Sequence, residues 1–149
     1  LLRQVAEAVG PGGGLLIGVD LKKPHALLER AYNDSAGITG AFNKNVLQHL
    51  NATLQGDIDL AQFDHQAFYN EQLGRIEMHL VSRIHQVVKL AGEEISFNAG
   101  ETIHTENSYK YSTEEFVTLA AASGFKGIQC WQDSDQLFSI HYMQCTGTA

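Results

Sequence analysis

The chain has 149 residues, 44% hydrophobic and 18% charged, which excludes the low-hydrophobicity, high-charge signature of disorder and allows a compact core. A net charge of −7, with no basic cluster beyond Lys22 and Lys23, lacks the electrostatic footprint of a nucleic-acid binder. No apolar run approaches the ~20 residues of a bilayer span and the opening residues lack a signal-peptide pattern, so the expected setting is cytoplasmic, with neither membrane nor nucleic acid as a partner.

Leu2, Val5 and Val9 recur at helical spacing in LLRQVAEAVG, with no capping residue ahead of them, and the natural sequence is expected to extend upstream. Gly10-Pro11-Gly12-Gly13-Gly14 stops that helix before the apolar run LLIGVD, residues 15–20. A continuous apolar strand beside helices predicts a parallel sheet covered on both faces, with Asp20 at the strand end where α/β folds place ligand-facing residues.

Residues 25–32 (HALLERAY) and 37–54 read as two helices, with Phe42, Val46, Leu47 and Leu50 sharing a face of the second. Between residues 66 and 109 the period changes. QAFYNEQ, RIEMHLVSRIHQVVKL and GETIHTENSY alternate and are separated by Gly74, Gly92-Glu93-Glu94 and Asn98-Ala99-Gly100, which predicts an antiparallel meander. The last segment returns to helix, TEEFVTLAAASG, capped by Ser112 or Thr113 with Glu114 or Glu115 in its first turn. FKGIQCWQD and DQLFSIHYM then predict a hairpin turning at Asp133-Ser134-Asp135, and the residues from Gly147 onward are expected to fray.

Cys130 and Cys145 have neither CxxC nor Cys/His ligand spacing and are expected to be buried free thiols. The seven histidines are scattered without HExxH or HxH spacing, so no metal is expected.

The order helix, strand, helical and antiparallel segment, helix, hairpin is that in which class I methyltransferase sheets commonly close, with the last strand antiparallel to the rest. Within it, LLIGVDLKK, LLERAYNDSAGITGAFNKNVL, GRIEMHL and AGETIHTENSYKY, taken in register, resemble the histidine N-α-methyltransferase family of ergothioneine biosynthesis over roughly residues 12–142. The resemblance implies the C-terminal part of an α/β, Rossmann-like, S-adenosylmethionine-dependent enzyme. Residues 1–21 and 110–145 would be elements of its sheet, and 22–109 an inserted α+β substrate-binding unit. The implied reaction is methylation of the α-amino group of free L-histidine to the trimethylated product, hercynine.

Carried over position by position, the resemblance places the tyrosine that binds the substrate carboxylate at Tyr32, in RAYND. The pair that recognises the imidazole falls on Glu106 and Ser108 of TENS, with Asn107 between them. In a regular strand Glu106 and Ser108 would point to one face. A carboxylate accepting from one ring N–H and a hydroxyl at the other nitrogen read the two-nitrogen pattern of histidine. Met78 of RIEM corresponds to a pocket wall, Phe42 of FNKN is a further candidate lining residue, and Asp20 and Lys22 carry no assigned role. No residue is expected to act as a nucleophile, since the cofactor carries the methyl group.

The chain lacks the glycine-rich loop that follows a first strand in such enzymes. Gly12-Gly13-Gly14 precedes a strand instead of opening a helix, so the cofactor contacts are expected upstream and the chain alone is expected to be inactive. Two other readings stand beside this one: methylation of another amino acid or indole derivative, and a non-catalytic amino-acid-binding domain.

Overall fold

A computed structural model describes residues 1–147, and these divide into two compact units, 1–23 with 109–147 and 24–108. The expected fraying at the C-terminus falls largely on residues 148 and 149, outside the described residues. No helix among the described residues is long and apolar enough to cross a membrane.

The first unit holds α1 (Leu2–Val9), β1 (Gly14–Asp20) and, from the far end of the chain, α4 (Thr113–Ala121), β7 (Phe125–Gln132) and β8 (Phe138–Cys145). Its sheet runs β1-β8-β7. The expected hairpin is present, with β7 and β8 antiparallel across the turn at Asp133, whose carboxylate accepts from the Asp135, Leu137 and Phe138 amides. β1 lies antiparallel to β8, from Gly14 opposite Gln144 to Asp20 opposite Phe138, and β8 is antiparallel to β7, so β1 and β7 run parallel to each other and only the last strand runs against them. The expected cover on both faces of β1 is not what the structure shows, for its burial alternates and Leu16 is 67% exposed.

The inward face of that sheet packs Val19, Met143, Cys145 and Phe125 against Ala6 of α1 and Phe116 and Ala120 of α4. The opposite face carries Leu16, Trp131, Phe138, Ile140 and Tyr142, all exposed. Ser112 caps α4 as expected: its hydroxyl accepts from the Glu115 amide while the Glu115 carboxylate accepts from the Ser112 amide, a complete capping box. Both thiols are free, but only Cys145 is buried, while Cys130 stands exposed on β7.

The second unit begins with α2 (His25–Tyr32) and α3 (Ile38–Leu54), followed by a short 3-10 turn at Leu60–Gln62 and strands β2 (Phe63–Asn70), β3 (Arg75–Ser82), β4 (Gln86–Leu90), β5 (Glu93–Phe97) and β6 (Thr102–Tyr109). The meander is interrupted. The run read as RIEMHLVSRIHQVVKL breaks at Ser82, β4 and β5 form a separate antiparallel ribbon, and β6 returns to pair with β3, giving the order β2-β3-β6. The Ser82 amide donates to the Glu101 carbonyl and the Gly100 amide donates to the Ser82 carbonyl, which starts β6 opposite the end of β3.

The face of α3 turned to the sheet differs by one residue from the expected one. Asn43 and Leu47 are buried, with Leu50 packed beside them, whereas Phe42 is 65% exposed and Val46 is 40% exposed. Leu47 joins Phe63, Leu80, Ile58 and Val88 in one apolar cluster, and Leu28 of α2 joins Ala67, Ile76 and Met78 in a second, against which Tyr32 and Tyr69 pack.

Candidate functional site

The stretch Glu29 to Asp34 is tied to its surroundings through Glu29, Tyr32, Asn33 and Asp34. β2 is an edge strand in the order β2-β3-β6, and an edge strand leaves amides and carbonyls unpaired along one side. Here the side chains at the end of α2 fill them. The Asn33 amide donates to the Ala67 carbonyl at 2.9 Å and its oxygen accepts from the Ala67 amide at 3.2 Å, a two-way clamp that imitates a neighbouring strand. Two residues along, the Glu29 carboxylate accepts from the Tyr69 amide at 3.1 Å. Asp34 then accepts from the Ile38 and Thr39 amides at the start of α3. These bonds, led by that from Thr39, lower the Asp34 pKa to about 2.

Tyr32 sits inside this clamp. Its hydroxyl lies 2.8 Å from the Ser108 hydroxyl on β6, and either can be the donor. Its main-chain carbonyl accepts from the His65 ring at 2.8 Å. Two of the residues expected at the site are thus in direct contact, although 76 positions separate them in the chain.

Glu106 and Asn107 are both exposed, while half-burial on β6 falls at Ile103, Thr105 and Ser108. Burial does not keep strict alternation between Thr105 and Ser108, while β6 itself runs unbroken from Thr102 to Tyr109 with Glu106 and Ser108 two residues apart. Glu106 borders a cavity of about 330 Å3 lined also by Phe42, Asn43, Val46, His49 and Thr105. Phe42 accordingly faces this cavity and not the core. Met78 is 3% exposed, within the Leu28, Ala67 and Ile76 cluster, and its carbonyl accepts from the Thr105 hydroxyl at 2.9 Å.

Three residues that the sequence reading did not single out, Glu77, His79 and His104, bring ligand-capable atoms within 4.8 Å of one another. The lone pair of an imidazole nitrogen lies in the ring plane. The His79 and His104 rings stack at 4.4 Å with only 18° between their planes, so in this arrangement they do not aim at one ion. Glu77 is already engaged by Arg75 at 2.7 Å and by Asn70 at 3.0 Å, and the guanidinium holds its carboxyl below the usual range. The arrangement is that of an ion-paired aromatic stack, extended on the other side of His79 by Phe68 at 5.3 Å.

In the first unit, Asp20 at the end of β1 pairs with Lys110 at 2.8 Å and Lys23 at 2.6 Å. Burial pushes its carboxyl up, and the two ammonium groups more than offset this, leaving it below its ordinary value. Lys22 engages Glu115 instead, so it braces the capping box of α4.

The glycine turn between α1 and β1 does not fit a nucleotide cofactor. The Gly12 amide donates to the Cys145 carbonyl at 2.8 Å and the Gly13 amide to the Gly10 carbonyl at 3.0 Å. These amides are committed to the protein's own carbonyls, and the turn leads into a strand, without the helix N-terminus that binds phosphate or ribose groups.

The sequence profile described as histidine-specific methyltransferase, SAM-dependent, matches residues 1–145. The chain is 42% identical over 134 residues to a histidine N-alpha-methyltransferase of Mycolicibacterium smegmatis, covering 89% of this chain and 42% of that protein. It is 39% identical over 141 residues to the protein of the same name from Mycobacterium tuberculosis, covering 93% and 44%. An L-tryptophan methyltransferase of Psilocybe serbica is 29% identical over 133 residues, covering 87% and 37%. The chain thus spans less than half the length of these curated relatives, yet the profile match runs through almost all of its own length, and it belongs to the family of SAM-dependent, histidine-specific methyltransferases.

Proposed function

We propose that the chain forms the acceptor side of an enzyme that transfers methyl groups from S-adenosylmethionine to the α-amino group of free L-histidine, yielding hercynine. The observation that carries this reading is the direct contact of Tyr32 and Ser108, which brings two expected substrate-binding hydroxyls, one on α2 and one on β6, to 2.8 Å. Family membership and the names of the two mycobacterial relatives point the same way.

In this reading Tyr32 binds the substrate carboxylate, Glu106 and Ser108 read the imidazole with Asn107 between them, and Met78 supports the pocket from the core. The residues of this chain bind and orient the acceptor and keep water from it, and none attacks the methyl group. Alignment of this kind is worth up to ~7–11 kcal/mol of barrier. The cofactor supplies the activated methyl group. The glycine turn, whose amides are engaged by the protein's own carbonyls, is not read as one of its contacts.

A second reading changes the acceptor to another amino acid or an indole derivative, and the relationship to an L-tryptophan methyltransferase favours it. A pocket built around paired polar groups rejects ligands that leave them unpaired. Mass spectrometry of the full natural polypeptide, incubated with S-adenosylmethionine and each free amino acid in turn, separates the two. Trimethylated histidine as the product supports the first reading, methylated tryptophan supports the second, and no methylated amino acid from the panel refutes both.

A further inference from the structure

We propose that His65 and Asn43 are positioning residues for acceptor binding, acting through the main-chain carbonyl of Tyr32, with His65 held as the neutral tautomer that carries its proton on Nε2. The proposal rests on the reading of Tyr32 as an acceptor-binding residue.

The argument begins at the end of α2. The last four carbonyls of a helix have no partner within it, and Tyr32 is the last helical residue. Its carbonyl oxygen can only accept, and it lies 2.8 Å from His65 Nε2, so that nitrogen is the donor. The other ring nitrogen, Nδ1, lies 2.9 Å from the Asn43 side-chain amide. An asparagine amide can in principle be turned either way, but here its orientation is decided by a second partner. The Asn43 nitrogen is also 3.1 Å from the His79 carbonyl, which again only accepts. The NH2 group therefore points at both His79 O and His65 Nδ1, and Nδ1 must accept. One ring nitrogen donates, the other accepts, and the tautomer is fixed from both ends without any hydrogen being seen.

Asn43 is only 3% exposed and occupies a core-facing position of α3. It spans from α3 to His65 on β2 and to the main chain of β3, so one buried amide sets the distance between the helix and two strands. His65 passes that setting to α2. With the neighbouring Asn33 locked on Ala67, the backbone of residues 32 and 33 is held from two sides while the Tyr32 phenol reaches Ser108. A displaced helix end would move the phenol away from the acceptor carboxylate, and misplacement of about 1 Å can cost up to ~100-fold in rate.

The test uses the full natural polypeptide with S-adenosylmethionine and L-histidine. His65→Leu removes the donor, and is expected to raise KM for histidine about three- to tenfold while KM for S-adenosylmethionine stays unchanged. His65→Gln can return an N–H donor near the position of Nε2, and is expected to recover most of the loss. In a Tyr32→Phe background, His65→Leu should add little, because both changes act on one group. Effects of the two substitutions that multiply, or equal rises in both KM values, would overturn the proposal. Unchanged histidine KM in Tyr32→Phe alone would remove the acceptor-site reading itself and the proposal with it, an outcome distinct from failure of the relay. A readout free of activity comes from two-bond 1H–15N NMR of the unsubstituted protein at neutral pH. The Nε2–H pattern is expected for His65, and an Nδ1–H or imidazolium pattern would overturn the assignment.

Discussion

Tyr32 and Ser108 meet hydroxyl to hydroxyl at 2.8 Å across 76 residues of sequence, so the end of α2 and the end of β6 are fixed to one another by side chains. Tyr32→Phe and Ser108→Ala are each expected to destabilise the chain by about 0.5–1.5 kcal/mol, and the double variant by less than their sum. Denaturant unfolding of the three variants measures this. Fully additive losses would mean that the two hydroxyls do not share a bond.

Asp34 gives an acid-dependent prediction. Its pKa in the folded chain is lowered to about 2, chiefly by the Thr39 and Ile38 amides, from a model-compound value of 3.8. A group whose folded pKa is depressed adds stability that is fully present above the unfolded pKa and lost as pH falls through the folded one. The stability difference between the chain and Asp34→Asn is therefore expected to be constant above about pH 5, to shrink between about pH 4 and 2, and to vanish below. Paired urea titrations over that range provide the check.

Ser112→Ala removes one half of the capping box of α4 and is expected to cost about 1 kcal/mol. For a chain of this length that is a fall in Tm of about 2–4 °C, readable by calorimetry. Ser112→Asp, which keeps an acceptor at the cap, is expected to retain most of the stability.

The two thiols should differ in reactivity. Cys130 is exposed and Cys145 is buried. Alkylation under native conditions is expected to modify Cys130 alone, and slowly at neutral pH, because partial burial and the nearby Glu114 charge raise its pKa and keep it protonated. Mass spectrometry should count one label on the native protein and two after denaturation.

Sequence periodicity was informative where a local rule decides the outcome. The helix read over HALLERAY coincides with α2, and the cap of α4 is visible because Ser112 and Glu115 have to stand three residues apart to bond each other. Rules of pattern failed where a partner far along the chain decides. The apolar run of β1 was expected to be covered on both faces, but a run of apolar residues does not say how many faces are packed, and here the Leu16 side is open. On α3, an apolar face was expected at Phe42 and Val46, but the buried positions begin at Asn43, a polar residue whose hydrogen bonds to His65 and His79 make its burial possible. An unusually placed Asn at core spacing with Leu47 and Leu50 was the available signal. The resemblance brought Tyr32 and Ser108 to attention, yet which residues of β6 are half-buried depends on how that strand lies against its neighbours and left no mark in the composition of TENS.

The clamp by which Asn33 replaces a missing strand along Ala67 also constrains how such a protein can diversify. Replacing Asn33 would strip the edge of β2 of its partner, so the segment beside Tyr32 is under selection for folding whatever the substrate. Glu106, exposed on β6, carries no comparable burden. On the proposed reading, lineages that change acceptor are expected to vary at Glu106 and its neighbours, while RAYND is inherited as part of the scaffold.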